Sequence, residues 1–236
     1  MGKLQPLEAA SQFIFSNHST CDGAILAGSV VRGEGTPTSD LDIVIFDSSL
    51  LFPFRESIMF KGWPIEIFAH NLHSYKEIFK EDLECAMPTH QKMVAEGIVL
   101  VDRGIVTPIK KEALQMLQNG PEPWSKEQIE LKRYFLTDAL DDFIGSADRS
   151  EAIFIANTLA TWIHEFVLRT NGCWIGESKW LVRALRNYDE TFTEQFVTAF
   201  EDFYQTGRKE KIIELTDLIL NPYGGRLFHG FSMGKI

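Results

Sequence analysis

Two aspartates one residue apart, Asp40 and Asp42, stand at the entrance to the apolar run Ile43-Val44-Ile45-Phe46. Side chains alternate along a strand, so both carboxylates belong on one face, with Leu41 and Ile43 on the other. Carboxylates on one edge repel each other unless a cation lies between them. A divalent metal with phosphate oxygens as further ligands suits such an all-oxygen set. Glu66 offers a third acid, centred in the run Trp63–Ala69 between Ile65 and Ile67. An acid with such neighbours needs a partner. If its strand lies beside the one that starts at Leu41, Glu66 joins Asp40 and Asp42 in a site for one or two Mg²⁺ ions. Upstream, Gly28 lets the backbone approach a ligand closely, and Ser29 is read as opening a short helix whose free N–H groups favour anions.

These residues need a sheet to position them. Asp22–Ala27, Leu41–Phe46, Trp63–Ala69 and Gly97–Val101 read as strands, with helices expected at 6–17, 72–85 and 107–118. In the 6–17 helix the apolar stripe is Leu7, Ala10, Phe13 and Ile14. The short helix after Ser29 should stop in the Gly33–Pro37 loop. Asn119-Gly120-Pro121-Glu122-Pro123 is the best linker. Ser125 then reads as a helix N-cap with Gln128 as its capping-box partner. Beyond it only helices are expected, at about 126–145, 149–170, 178–187, 189–206 and 208–220, and the tail from Pro222 is left unassigned. Trp162, Phe166, Phe192, Phe196, Phe200 and Phe203 recur at helical spacing and read as the core of this half. The fold class is therefore α+β: a small mixed β-sheet domain over residues 1–120, then a helical bundle domain over 121–236.

Composition narrows the function classes. Hydrophobic residues make up 44% of the 236, ordinary for a globular chain. A formal charge of −10 argues against a nucleic-acid partner, which needs a basic footprint. Cys21, Cys85 and Cys173 are scattered and odd in number, which reads as reduced thiols in a cytoplasmic protein. The first residues lack a signal-peptide pattern, and no stretch approaches the ~20 apolar residues of a membrane span. His164-Glu165 is not followed by the second histidine of a zinc-protease motif, and Gly33-x-Gly35 lacks the third glycine of a dinucleotide fingerprint.

Taken together, Gly28-Ser29, ten intervening residues, Asp40-Leu41-Asp42 and an acid 24 residues later resemble the nucleotidyltransferase superfamily of DNA polymerase β. A catalytic half followed by a helical half is similar to the aminoglycoside nucleotidyltransferases of the kanamycin type. The resemblance implies metal-dependent transfer of a nucleoside monophosphate, AMP if ATP is the donor, to a hydroxyl of a small molecule such as an aminoglycoside-like antibiotic. It implies that Asp40, Asp42 and Glu66 hold two Mg²⁺ ions, and that Gly28, Ser29 and Ser39 meet the phosphates of ATP or another NTP. It also implies a general base from the second half. Aligning the glycine at the end of helix 126–145 puts Asp142 there, with Asp141 as fallback and Asp138 on the same helix. The family's lysine after that base is not matched, and Lys179, opening a later helix, is the replacement. Arg32 reads as solvated rather than catalytic. Kanamycin-type enzymes pair subunits so that each site draws on both, which implies a homodimer with Asp142 acting in trans; in either case the acceptor is expected between the two halves. Two other readings stay open: a non-catalytic nucleotide sensor or antitoxin-like protein of the same fold, and an enzyme that modifies a protein or RNA.

Overall fold

The computed structural model describes residues 3–234. The chain divides into two compact units, Met1–Gly120 and Pro121–Ile236. The first holds a five-stranded mixed sheet, as expected of the α+β class. Its strands are β1 (Gly23–Ala27), β2 (Leu41–Phe46), β3 (Phe54–Phe60), β4 (Trp63–His70) and β5 (Ile98–Asp102), in the order β3-β4-β2-β1-β5. Only β2 and β4 run parallel, with Asp42 opposite Glu66; the other neighbours are antiparallel.

Alternation along β2 and β4 divides the core. Leu41, Ile43, Ile45, Ile65 and Ile67 pack against Ala10, Phe13 and Ile14 of α1 (Pro6–Asn17). Val44 and Phe46 face the opposite side, with Tyr75 of α2 (Ser74–Glu84), Val94 of α3 (Thr89–Glu96) and Ile109 of α4 (Val106–Asn119). Both faces of the central strands are thus covered, which explains their near-continuous apolar runs. Leu7, expected on the inner stripe of α1, is exposed, and Ala9 takes its place.

Four features correct or add to the sequence reading. β3 was not expected, because an edge strand mostly exposed on both faces carries no hydrophobic alternation. The helix over 72–85 is followed by a second one, α3: Ala86 at φ 56° breaks the run, and Pro88 precedes a new start at Thr89. The segment after Ser29 forms turns rather than a helix. Its backbone bonds run from Val31 N–H to the Gly28 carbonyl and from Glu34 N–H to the Ser29 carbonyl. With Gly33, Gly35 and Pro37 following at once, four residues are too few to nucleate a helix. Residues 221–223 of the unassigned tail form a 3-10 turn, and the chain after it lies along α5 (Lys126–Gly145). Leu227 N–H donates to Thr137 Oγ1 at 3.0 Å, Arg133 Nε donates to the Gly225 carbonyl at 2.7 Å, and Phe231 stacks on Tyr134. Lys235 and Ile236 of that tail lie outside the described residues.

The second unit contains α5, α6 (Arg149–Thr170), α7 (Lys179–Tyr188), α8 (Glu190–Thr206) and α9 (Glu210–Leu220). Ser125 caps α5 by a reciprocal box: its hydroxyl accepts from Gln128 N–H at 3.2 Å, and Gln128 Oε1 accepts from Ser125 N–H at 2.8 Å. The core of this unit gathers Leu140, Phe143, Phe166, Phe196, Phe200 and Phe203, with Trp162 and Phe192 partly buried against it. Among the described residues, no helix is long and apolar enough to cross a membrane.

Candidate active site

β2 and β4 deliver the acids. Asp40 sits just before β2, Asp42 is its second residue and Glu66 lies opposite Asp42 on β4. One carboxylate oxygen from each of the three lies within 4.8 Å of the others, and each residue is half-buried. Among the described residues no other group of three or more His, Cys, Asp or Glu side chains has metal-ligand geometry.

The electrostatics follow from that crowding. The Asp42 carboxyl is pushed up to about 6, first by burial, then by the negative charge of Asp40 and of Glu66. Arg32 and Arg55 pull it back only in part. Arg32 is ion-paired at 3.3 Å to both Glu34 and Glu96, so its charge is partly offset there. Arg55, from the edge strand, reaches Glu66 directly: Nε and a terminal nitrogen donate to the same oxygen, Oε1, at 2.9 and 2.6 Å. Sequence reading missed this contact because it missed β3.

Gly28 completes the floor. It directly follows β1, at φ 83°, and a Cβ there would fall 1.8 Å from Asp42 Oδ2. No other residue fits so close to that carboxylate in that backbone conformation. Ser29 and Ser39 face each other across the turn loop, hydroxyl to hydroxyl at 3.1 Å, and Ser39 Oγ also accepts from Thr36 N–H at 2.8 Å. This tie closes the loop and sets Ser39 immediately before Asp40. A pocket of about 270 Å³ opens beside the acids, lined by Asp40, Glu66, Ser57, Met59 and Pro64 among others.

The three carboxylates fit a divalent cation. They are oxygen donors on neighbouring strands, kept close against their own repulsion, with a glycine where a side chain would collide. The remaining candidates lie in the second unit. Asp138, Asp141 and Asp142 are exposed on α5, and Asp141 is ion-paired to Arg226 of the tail at 3.4 Å. Lys179 is exposed at the first position of α7.

Residues 14–94 match the model of the nucleotidyltransferase domain, a span that includes Gly28, Ser29 and all three acids. Over that span, about a third of the chain, the first unit is similar to a nucleotidyltransferase domain. Among solved structures, a nucleotidyltransferase-like protein from Exiguobacterium sibiricum 255-15 has a similar fold. It superposes with a TM-score of 0.50 at 13% identity, covering 92% of this chain and 74% of that one. No curated protein matches the chain.

Proposed function

We propose that this protein transfers a nucleoside monophosphate, AMP from ATP, to a hydroxyl of a small molecule. The observation that carries the reading is the convergence of Asp40, Asp42 and Glu66 within 4.8 Å, inside a span that matches the nucleotidyltransferase domain. Asp40, Asp42 and Glu66 would hold Mg²⁺, which supplies charge neutralisation of the phosphates and a lower pKa for the acceptor hydroxyl.

The chain's own groups divide the remaining work. The Gly28 turn leaves room for the backbone to approach the phosphates, and the Ser29 and Ser39 hydroxyls offer hydrogen bonds to them. Asp142 takes the acceptor's proton, and Lys179 meets negative charge on the triphosphate. The pocket beside the acids carries Asp40 and Glu66, with no cation among its lining residues. The chain's formal charge of −10 favours a neutral or cationic hydroxyl compound over a polyanion as acceptor, which is the basis for reading it as aminoglycoside-like with a kanamycin-type specificity. The wider reading is a cytoplasmic enzyme, with pairing of subunits as in the kanamycin type.

Labelled NTPs incubated with aminoglycosides, lincosamides and related alcohols test this reading. The expected result is a nucleoside monophosphate added to one acceptor, with stoichiometric pyrophosphate and dependence on Mg²⁺. Pyrophosphate release unaffected by chelation of divalent ions would overturn it.

A further inference from the structure

His164 has no place in the reading so far, yet it is buried in α6, 2% exposed, with both ring nitrogens engaged. Nδ1 lies 3.2 Å from the Thr161 carbonyl, one turn back on the same helix. Nε2 lies 3.1 Å from the Gly176 N–H, in the segment between α6 and α7. A carbonyl only accepts and an amide N–H only donates, so the two partners fix the tautomer: the proton is on Nδ1, and Nε2 accepts. Burial holds the imidazole below its ordinary pKa, against the Thr161 bond and the charge of Glu165, itself paired with Lys132 at 2.8 Å. The ring is thus neutral at pH 7.5, the form that this pair of bonds needs.

The segment it holds is tight and strained. A Cβ on Gly176 would fall 2.4 Å from the Trp180 carbonyl oxygen, so the glycine packs directly against the start of α7. Two residues on, Ser178 has φ 53° and ψ −125°, and Trp180 N–H donates to the Glu177 carbonyl at 2.9 Å. These are the features of a type II′ turn, whose first central position favours glycine. A serine persists there only when its surroundings hold it. The next residue, at the second central position of the turn and the first of α7, is the exposed Lys179. Backbone strain therefore sits immediately before the lysine read as meeting the triphosphate, and the anchor of that strained segment is a buried imidazole.

We propose that His164 is a positioning residue: through Gly176 it holds the turn that presents Lys179 to the triphosphate. This rests on the reading of Lys179 given above. The test compares His164→Asn with His164→Gln in the full chain. An asparagine amide matches Nδ1 in reach and keeps a donor for Thr161, but it has no atom at the Nε2 position, whereas a glutamine oxygen reaches that position and accepts from Gly176. The readout is affinity for a non-hydrolysable ATP analogue with Mg²⁺ at pH 7.5. His164→Asn should weaken binding about tenfold, as much as Lys179→Ala does, the loss of one charge-assisted contact. His164→Gln should stay within about twofold of wild type, and adding His164→Asn to Lys179→Ala should cost nothing further. Equal losses in the Asn and Gln variants, no loss in His164→Asn, or losses that add in the double variant overturn the proposal while leaving Lys179 in place. Unchanged affinity in Lys179→Ala, or no binding by wild type, overturns the Lys179 reading and this proposal with it. Where neither histidine variant folds, nitrogen NMR of the wild-type imidazole decides: a proton on Nδ1 alone is expected, and a proton on Nε2 overturns the proposal.

Discussion

Two sets of three acids divide the molecule. Asp40, Asp42 and Glu66 come from two adjacent strands of the first unit, and Asp138, Asp141 and Asp142 come from one helix of the second. The strand set converges within 4.8 Å, half-buried, with one carboxyl pushed up to about 6. The helix set is exposed, and Arg226 already offsets Asp141. Sequence proximity favours the helix set, whose three acids fit within five residues. Convergence favours the strand set. Neighbouring parallel strands put Asp42 and Glu66 side by side in a half-buried sheet, whereas 138, 141 and 142, though at i, i+3 and i+4 on one helix face, point into solvent that screens them. A cluster of acids becomes a candidate site when burial forces the charges to share space and only a cation relieves them.

The largest expected effect separates the two sets. Asp42→Asn should lower nucleotidyl transfer by on the order of 10³-fold or more, the loss of several kcal/mol of metal-derived stabilisation. Asp142→Asn should cost about 10²-fold, the lower end of general-base contributions, while Asp141→Asn should cost little. Pyrophosphate release measures all three. Equal losses at Asp42 and Asp141 would dissolve the contrast.

Next comes stability against pH in the absence of metal. A folded Asp42 carboxyl near 6 holds its proton more tightly than the unfolded chain does, at a reference value of 3.8. Folding therefore takes up protons between these values. The group destabilises the fold progressively as pH rises through that window, with its full cost above about 6. Asp42→Asn should thus melt above wild type at pH 7.5 and close to it at pH 3.5. Added Mg²⁺ should raise the wild-type melting temperature and leave the variant's unchanged. A variant that melts lower than wild type at both pH values would contradict the crowding argument.

Gly28→Ala comes third. It puts a methyl 1.8 Å from Asp42 Oδ2 in a backbone conformation with φ at 83°, so Asp42 must move. The expected cost is about 1–3 kcal/mol of stability from urea unfolding, together with weaker Mn²⁺ binding. Ser125→Ala, at the cap of α5, should cost about 1 kcal/mol and leave Mn²⁺ affinity unchanged. Coupling of that cap to metal affinity would contradict a metal site built by the acids of β2 and β4 alone.

The parts legible in the sequence were those where burial dictates the residue type. β1, β2, β4 and β5 read as apolar runs, and Asp42 and Glu66 stood out because they interrupt such runs. The capping box of Ser125 and Gln128 was visible because two side chains satisfy specific backbone groups. What stayed hidden was set by partners rather than by local pattern. β3 reads Arg-Glu-Ser because an edge strand meets solvent, so Arg55 could not be placed beside Glu66 until the β3–β4 register was known. The turns after Ser29 looked like a helix start, yet loop closure by Ser39 governs them. The tail carries no periodic pattern, because it is held by the side chains of α5 rather than by its own hydrogen bonds.

Anomalous X-ray scattering from crystals grown with Mn²⁺ and a non-hydrolysable ATP analogue tests the central claim most directly. The account predicts a manganese peak bounded by carboxylate oxygens of Asp40, Asp42 and Glu66, with the analogue's phosphates against it. Manganese bound elsewhere while these three carboxylates contact only protein or water would contradict it.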